Sequence, residues 1–354
     1  MKKKKKIALI TGVTGQDGSI MTRFLLNKNY IVHGIKRRVS LFNTNRIDEI
    51  IKEKHIEKND FYLHYGDITD PLNILNLINK IKPDEIYHFA AQSHVAISFE
   101  MPYYSSNVDS LGTLNILEAI KILKLKKVKF YNAASSEMYG DVDKKILDEK
   151  TPFNPISPYA TSKLYSYYIT KNYRNSYNIF ASNGILFNHE SENRGETFVT
   201  RKITRFVAKY NYTKKGILLL GNLDSVRDWG YANDYIEGIW KILQNNNADD
   251  FVLATGKCYS VKDFIKYAFK HIGIDIVFKG SGSNTIGYDK SNNKVLVKSI
   301  KYYYRPNDVT YLKGNPSKAK KILNWQPKHT LNDLVKIMLN NDLRIEKERL
   351  STNS

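Results

Sequence analysis

The segment from Ile7 to Ser19 constrains this chain more than any other stretch. Ile7-Ala8-Leu9-Ile10 is a short apolar run of the kind that forms parallel strands buried on both faces. Thr11-Gly12-Val13-Thr14-Gly15-Gln16-Asp17-Gly18 follows at once. A helical pattern then begins at Ser19, with Ile20, Phe24 and Leu25 on one face. In a strand, glycine-rich turn and helix, the backbone can approach a pyrophosphate seated at the positive helix N-terminus. The glycines stand at 12, 15 and 18 and not in the G-x-G-x-x-G spacing, and no Lys-Ser/Thr follows them. That excludes a nucleoside-triphosphate P-loop. The segment predicts a dinucleotide-binding turn at the start of a parallel sheet.

The next strand, expected at Tyr30–Ile35, discriminates between dinucleotides. An acid after this strand would bind a ribose 2′-OH. Here the chain reads Lys36-Arg37-Arg38. Forked guanidinium donors suit a 2′-phosphate, so the sequence predicts NADP. Asp67, after an expected strand at Phe61–Tyr65, stands where an adenine contact or a loop cap would be.

Strand–helix alternation continues to about Gly184, with further strands expected at Glu85–Phe89, Val128–Ala133 and Ile179–Gly184. The predicted fold is α/β: a Rossmann-like doubly wound parallel sheet with a smaller, discontinuous C-terminal substrate-binding domain. The NADP-binding domain is expected over residues 1–188, rejoined by about 230–255, and the substrate domain over most of 189–354. Later helices are predicted near Phe198–Tyr210, Tyr235–Leu243, Val261–Ile272 (with Ser260 as N-cap), Pro316–Leu323 and Leu331–Asn340. Gly216–Leu220 reads as a short strand. Gly280–Asn293, rich in Gly, Ser and Asn, reads as an exposed loop. These late segments look too short and interrupted to hold a core of their own, so they are expected to cover the first domain as a substrate lid.

Tyr159 and Lys163 stand four residues apart, one helical turn, which puts phenol and ammonium on one face. The ammonium should pull the phenol's pKa down and make it a base toward a sugar hydroxyl. With 25 tyrosines in the chain, this spacing alone is common, and Ser135-Ser136-Glu137 upstream gives it weight.

Composition bounds the rest. A single cysteine, Cys258, excludes internal disulfides and zinc fingers and fits a reducing, cytoplasmic setting. No ligand spacing among the histidines points to a metal. No apolar run suits a membrane span or a signal peptide. The net charge of +20, from 55 basic and 35 acidic residues, invites a nucleic-acid reading. The lysines are scattered, however, which points to compositional bias. Lys2–Lys6 is expected to be a solvated tail. No nucleic-acid partner is predicted, and positive charge would suit a nucleotide-sugar substrate.

At this level of detail the sequence resembles the extended short-chain dehydrogenase/reductases, and within them the GDP-mannose 4,6-dehydratase branch. The matching runs are Ile10–Ser19, His33–Arg38, Phe42–Thr44, Ala90–Val95, Asn183–Ser191, Arg194–Ile203, Arg227–Gly230 and Tyr304–Pro306. Lys318–Lys320 and Leu323–Trp325 extend the match near the end. The resemblance implies conversion of GDP-mannose to its 4-keto-6-deoxy derivative with loss of water, a first step toward GDP-fucose or another GDP-deoxyhexose. It implies Tyr159 as the base at O4, Lys163 as support for the phenolate, Ser135 as a donor to O4 and Glu137 as the base at C5. An epimerase would need no such second base. The implied NADP contacts are Gly12, Thr14, Gly15, Gln16, Asp17, Arg37, Asp67, Ile68, Phe89, Ala90, Ala91, Ser93, Tyr104, Lys163, His189 and Arg194. The implied GDP-sugar contacts are Ser93, Glu137, Tyr159, Asn188, Lys202, Gly221, Arg227, Arg305 and Asp308. Two positions depart from the family pattern: Ser135 stands where Thr is usual, and Val39 where Ser is usual. The resemblance also implies a homodimer or homotetramer, with residues Arg38 to Arg46 as a subunit contact.

Overall fold

Apolar runs and β-branched residues form a seven-stranded sheet that positions everything else. The structure, a computed structural model, describes residues 4–55, 60–143 and 145–352. We number its first six strands β1 (Ile7–Thr11), β2 (Ile31–Lys36), β3 (Phe61–Tyr65), β4 (Glu85–His88), β5 (Lys129–Ser135) and β6 (Phe180–Leu186). The spatial order is Phe251–Leu253, β6, β5, β4, β1, β2, β3, and every pairing is parallel. The order reverses direction beside β1, which opens a crevice at the C-terminal ends of β1 and β4, where ligands bind in such sheets.

Side-chain alternation along the strands feeds two cores. Ala8 and Ile10 pack with Met21, Leu25, Ile236 and Ile239 on one face, under the helices Gln16–Asn27 and Ala232–Gln244. Leu9 packs with Ile74, Ile78, Ile116 and Ile120 on the other, under Pro71–Ile81 and Gly112–Ile122. Thus Ala232–Gln244, although late in the chain, belongs to the first sheet. Lys129 Nζ fastens its end by donating to the carbonyls of Leu243 (2.7 Å) and Asn245 (3.1 Å).

Besides an unexpected seventh strand, Phe251–Leu253, and a last helix that runs on to Thr352, four differences from the sequence reading stand out. First, the opening helix starts at Gln16, not Ser19, so Gln16, Asp17 and Gly18 form its first turn. Second, the late segments have a core of their own. Strands Ile276–Lys279, Ile286–Asp289, Val295–Ser299 and Leu218–Leu220 form a second sheet in that order. Val207, Phe264, Phe269, Leu296, Leu334 and Met338 are buried together between this sheet and the helices Val199–Thr213, Val261–Lys270 and Leu331–Thr352. Third, the segment expected as a loop at Gly280–Asn293 contains the strand Ile286–Asp289. Gly287 permits it, because a Cβ there would lie 2.8 Å from the Phe278 ring. Fourth, the basic N-terminal run is tied down at Lys5 and Lys6. Lys5 pairs with Asp60 (2.7 Å) and Lys6 with the buried Glu85 (2.8 Å). Lys2 and Lys3 lie outside the described residues.

The second core makes a stability prediction. Phe264 is fully buried and meets Trp229 edge-on, with centroids 5.5 Å apart. Phe264→Ala should destabilise the protein by about 3–5 kcal/mol, read from the denaturant midpoint. A midpoint within experimental error of the wild type would show that these segments are only a loose cover.

Candidate active site

A cleft of about 960 Å³ lies between the C-terminal ends of the parallel strands and the second core. At its start the chain follows a path that side chains would block. Gly12 has φ +69°, and a Cβ there would lie 2.8 Å from Ala90 N; one on Gly18 would lie 2.2 Å from the Gly12 carbonyl. Gly15 then begins the helix without a side-chain cap. First-turn N–H groups have no intrahelical partner, so this turn can receive an anion. The cradle that a Cβ would fill and the uncapped helix both fit a dinucleotide pyrophosphate.

Around this turn the side chains hold one another. Gln16 Nε2 donates to the His189 carbonyl at 3.1 Å, and Ser191 Oγ donates to Gln16 Oε1 at 3.0 Å. His189 Nδ1 faces the Phe187 carbonyl and its Nε2 faces Asp17, each at 2.8 Å. Both ring nitrogens therefore face acceptors, and the imidazolium satisfies both. Burial opposes that charge, but Asp17 and the Phe187 carbonyl lift the histidine's pKa above its ordinary value. Arg194 lies over the Phe198 ring, 3.7 Å from its centroid, and pairs with Glu190 at 3.0 Å.

The basic triplet after β2 divides. Lys36 and Arg37 line the cleft, and Arg37 donates to the Tyr104 hydroxyl at 2.6 Å. Arg38 is exposed and donates to the Val39 carbonyl. Asp67 Oδ1 accepts from the Thr69 N–H (3.0 Å) and hydroxyl (2.8 Å), so one carboxylate oxygen serves as the loop cap while the residue still lines the cleft. Arg46, which sequence reasoning linked only to a subunit contact, folds back on its own chain. It donates to the carbonyls of Asn193 (2.8 Å) and Thr14 (3.2 Å).

The chemistry-bearing residues meet beyond the glycine turn. β5 ends at Ser135, which caps a short helical turn, Ser136–Tyr139, by accepting from Glu137 N at 3.2 Å. The helix Pro158–Tyr177 begins beside it, with Ser157 as N-cap accepting from Ala160 N at 3.1 Å and Pro158 in the first turn. Its first turns carry Tyr159 and Lys163, both buried. Ser135 lies close enough to the Tyr159 phenol to act on its proton affinity. Lys163 Nζ donates to the Ala133 carbonyl at 3.0 Å. The lowered phenol pKa expected from the sequence is not what the structure gives. Burial pushes the phenol up, and the carboxyls of Asp109 and Glu137 push it further. Ser135 and Arg194 pull it down. Burial also lowers the Lys163 ammonium, against the support of Asp109 and Asp17.

The far end of the cleft is basic. Arg227 and Arg305 converge on Asp308 Oδ1, at 3.3 and 3.1 Å. Lys202 lies 4.8 Å from the centroid of the Tyr303 ring, and Gly221 allows the Tyr303 carbonyl to approach where a Cβ would stand 2.5 Å away. Asn188 and Ser93 lie between the two ends. The structure thus brings every residue expected in the site to one cleft: the glycine turn through Asp17, Arg37, Asp67, Ile68, Phe89, Ala90, Ala91, Ser93, Tyr104, Ser135, Glu137, Tyr159, Lys163, Asn188, His189, Arg194, Lys202, Gly221, Arg227, Arg305 and Asp308. Sequence reasoning missed Tyr302 and Tyr303, which also line it, and Asp109, buried behind the Tyr159–Lys163 pair. Among the described residues no group of three or more His, Cys, Asp or Glu could hold a metal ion, and no helix is long and apolar enough to cross a membrane.

The family described as "GDP-mannose 4,6 dehydratase" matches residues 9–338. GDP-mannose 4,6 dehydratase 2 of Caenorhabditis elegans is 51% identical over 346 residues, covering 97% of this chain and 90% of that protein. The GDP-mannose 4,6 dehydratase of Homo sapiens is 50% identical over 348 residues, covering 98% and 93%. Among solved structures, UDP-glucose 4-epimerase of Thermotoga maritima superposes with a TM-score of 0.78 at 20% identity, over 97% of this chain and 99% of that one. That likeness establishes the fold, which epimerases and dehydratases share. The matched span and the identity of about half over nearly the whole length place the chain in a narrower group: it belongs to the GDP-mannose 4,6-dehydratase family.

Proposed function

We propose that this chain converts GDP-D-mannose to GDP-4-keto-6-deoxy-D-mannose and water, a hydro-lyase reaction, with bound NADP. One observation carries the reading: the Glu137 carboxylate shares a single turn with Ser135, and both line the cleft beside the buried Tyr159 phenol and act on it. A second base beside the first is what dehydration requires and epimerisation does not. The family relatives support it.

NADP would be held by the glycine turn and the first turn of helix Gln16–Asn27, with Arg37 toward its 2′-phosphate. When bound, it supplies the hydride acceptor at C4 and the donor at C6. Tyr159 takes the O4 proton, and Ser135 donates a hydrogen bond to O4 as it becomes a carbonyl oxygen. The 4-ketone acidifies the C5 proton. Glu137 removes that proton and delivers it to the departing 6-hydroxyl, which leaves as water; C5 then takes a proton back from solvent by way of Glu137, and Tyr159 gives up the O4 proton to solvent, so the count closes. Lys163, anchored on the Ala133 carbonyl one helical turn away, would support the phenolate once it forms, although burial and not this ammonium dominates the resting phenol. Arg227, Arg305 and Lys202 orient the pyrophosphate of GDP-mannose, and forked guanidiniums suit that task. A homodimer or homotetramer in the cytoplasm completes this reading. Its single cysteine, half-buried with a thiol pushed up to about 11 by burial, fits a reducing compartment.

Three outcomes test it. Nucleotide released from the denatured holoprotein should carry a 2′-phosphate; recovery of NAD alone would overturn the cofactor assignment. Tyr159→Phe keeps the ring and removes the base, so turnover of GDP-mannose should fall about 10²–10⁴-fold with the fold intact. Glu137→Gln is the sharpest case. It should still oxidise C4, showing enzyme-bound NADPH absorbance on mixing with GDP-mannose, yet stall before water leaves. Solvent deuterium should not enter C5. Full dehydration by this variant would remove Glu137 from its role, and an epimerised product would remove the dehydratase reading itself.

A further inference from the structure

Behind the Tyr159–Lys163 pair lies a carboxyl that the reaction just described does not use. The helical stretch from Pro102 to Ile122 is interrupted at Asn107–Leu111 by one wider turn of π-helix. Such single-turn bulges are rare and occur often at functional sites. This bulge is fastened to the helix that carries the pair. Ser110 Oγ donates to the Ser162 carbonyl at 3.2 Å, and the Ser106 and Ser162 hydroxyls lie 3.3 Å apart. Ser162 is the immediate neighbour of Lys163, so the bulge is locked to the turn between base and ammonium.

Asp109, at the middle of the bulge, is fully buried. Its Oδ1 accepts from Gln92 N at 2.7 Å. Its Oδ2 is buried with no hydrogen-bond partner among the described residues. A buried, half-satisfied carboxyl costs stability, and its Oδ2 is free to respond to a nearby charge. The charged groups it meets come from the facing helix. Asp109 is the foremost electrostatic support of the Lys163 ammonium and the foremost charge acting on the Tyr159 phenol. From the strand side it meets the Gln92 N–H. Nearby His88 on β4 is neutral, engaged between Thr11 (2.8 Å) and Thr113 (3.1 Å), with burial holding it at about 3. Asp17 is the other carboxylate acting on Lys163.

We propose that Asp109 is a positioning residue for catalysis: a buried counter-charge, fixed by the bulge behind the helix that carries the pair, that acts on both the Lys163 ammonium and the Tyr159 phenol. The inference rests on the reading of Tyr159 as the base. Burial lifts the Asp109 carboxyl to about 6 against the pull of Lys163 and the Gln92 N–H. Its charge is therefore present above that pH and fades below it. Ionised, it makes the phenol harder to deprotonate and the ammonium harder to lose. The bulge thus holds the working range of the pair higher on the pH scale than burial and Ser135 alone would set it.

The test is the pH profile of kcat/KM for GDP-mannose, measured on the holoenzyme, since its limbs report groups of the free enzyme. In Asp109→Asn both limbs should move to lower pH by about one unit, because the phenol and the ammonium both lose a neighbouring negative charge. Asp109→Glu restores the charge and should bring both limbs back toward the wild type even if kcat stays low. A merely structural role would lower kcat in both variants and leave the limbs in place, and that result overturns the proposal. Should Asp109→Asn not fold, infrared difference spectroscopy reads the same coupling. The carbonyl stretch of a protonated buried carboxyl, followed against pH, should titrate at higher pH in Lys163→Met than in the wild type; coincident midpoints overturn the proposal equally. A wild type inert toward GDP-mannose would sink the dehydratase reading instead, and the infrared titration would still decide the role of Asp109.

Discussion

Three stretches of backbone meet at the start of this chain only because side chains are missing there. Gly18 lies against the Gly12 carbonyl, and Gly12 against the backbone of Ala90. The contact seats the N-terminus of the first helix directly over the end of β1. The rest of the cleft takes its position from that seat. Asp17 and Gln16, in the first helical turn, reach across to His189 and Ser191 and so fix the loop that leaves β6. Arg46 ties the loop after β2 to the Thr14 carbonyl of the same turn. A side chain at Gly12 or Gly18 would therefore disturb more than pyrophosphate approach. It would move the loop that brings Asn188 and Arg194 into the site.

The first domain was legible because its signals are local. Six of the seven strands of the parallel sheet were expected and agree with the observed ones to within a residue or two at each end; the seventh, Phe251–Leu253, only three residues long and far along the chain, was not. The opening helix was placed three residues late because Gln16, Asp17 and Gly18 look like turn chemistry. Nothing in the sequence says that a glycine at 18 serves helix packing and not a bend. The second core was misread for a different reason. Its strands are three to five residues long and its apolar residues come from segments more than a hundred residues apart, Val207 and Met338 among them. No local period records such a core. Asp109 was invisible on both counts, since its importance depends on a π-bulge and on the packing of two helices.

The most informative disagreement concerns charge. Spacing alone suggested that Lys163 would tune Tyr159 by proximity. The structure instead buries both groups, and burial disfavours the charged form of each. Lys163 hydrogen-bonds a carbonyl, and the carboxyls nearby act on the phenol in the opposite sense. The pair is therefore not self-sufficient. The reactivity of its phenol depends on which charges share the cavity, and these include a carboxyl on a neighbouring helix.

The basic end of the cleft follows a related logic. Two guanidiniums that converge repel each other, and Asp308 between Arg227 and Arg305 offsets that repulsion and keeps their forks aimed at one point. On the proposed reading, a pyrophosphate entering there would compete with this carboxylate, so part of the attraction would be cancelled. Uniformly tight substrate binding would not speed the proposed chemical steps, whereas orientation of the sugar toward Tyr159 and Glu137 would. The net charge of +20 therefore says little about affinity at this end. What matters there is that each cation lining it is held, by Asp308 or against the Tyr303 ring, in a direction fixed before the substrate arrives.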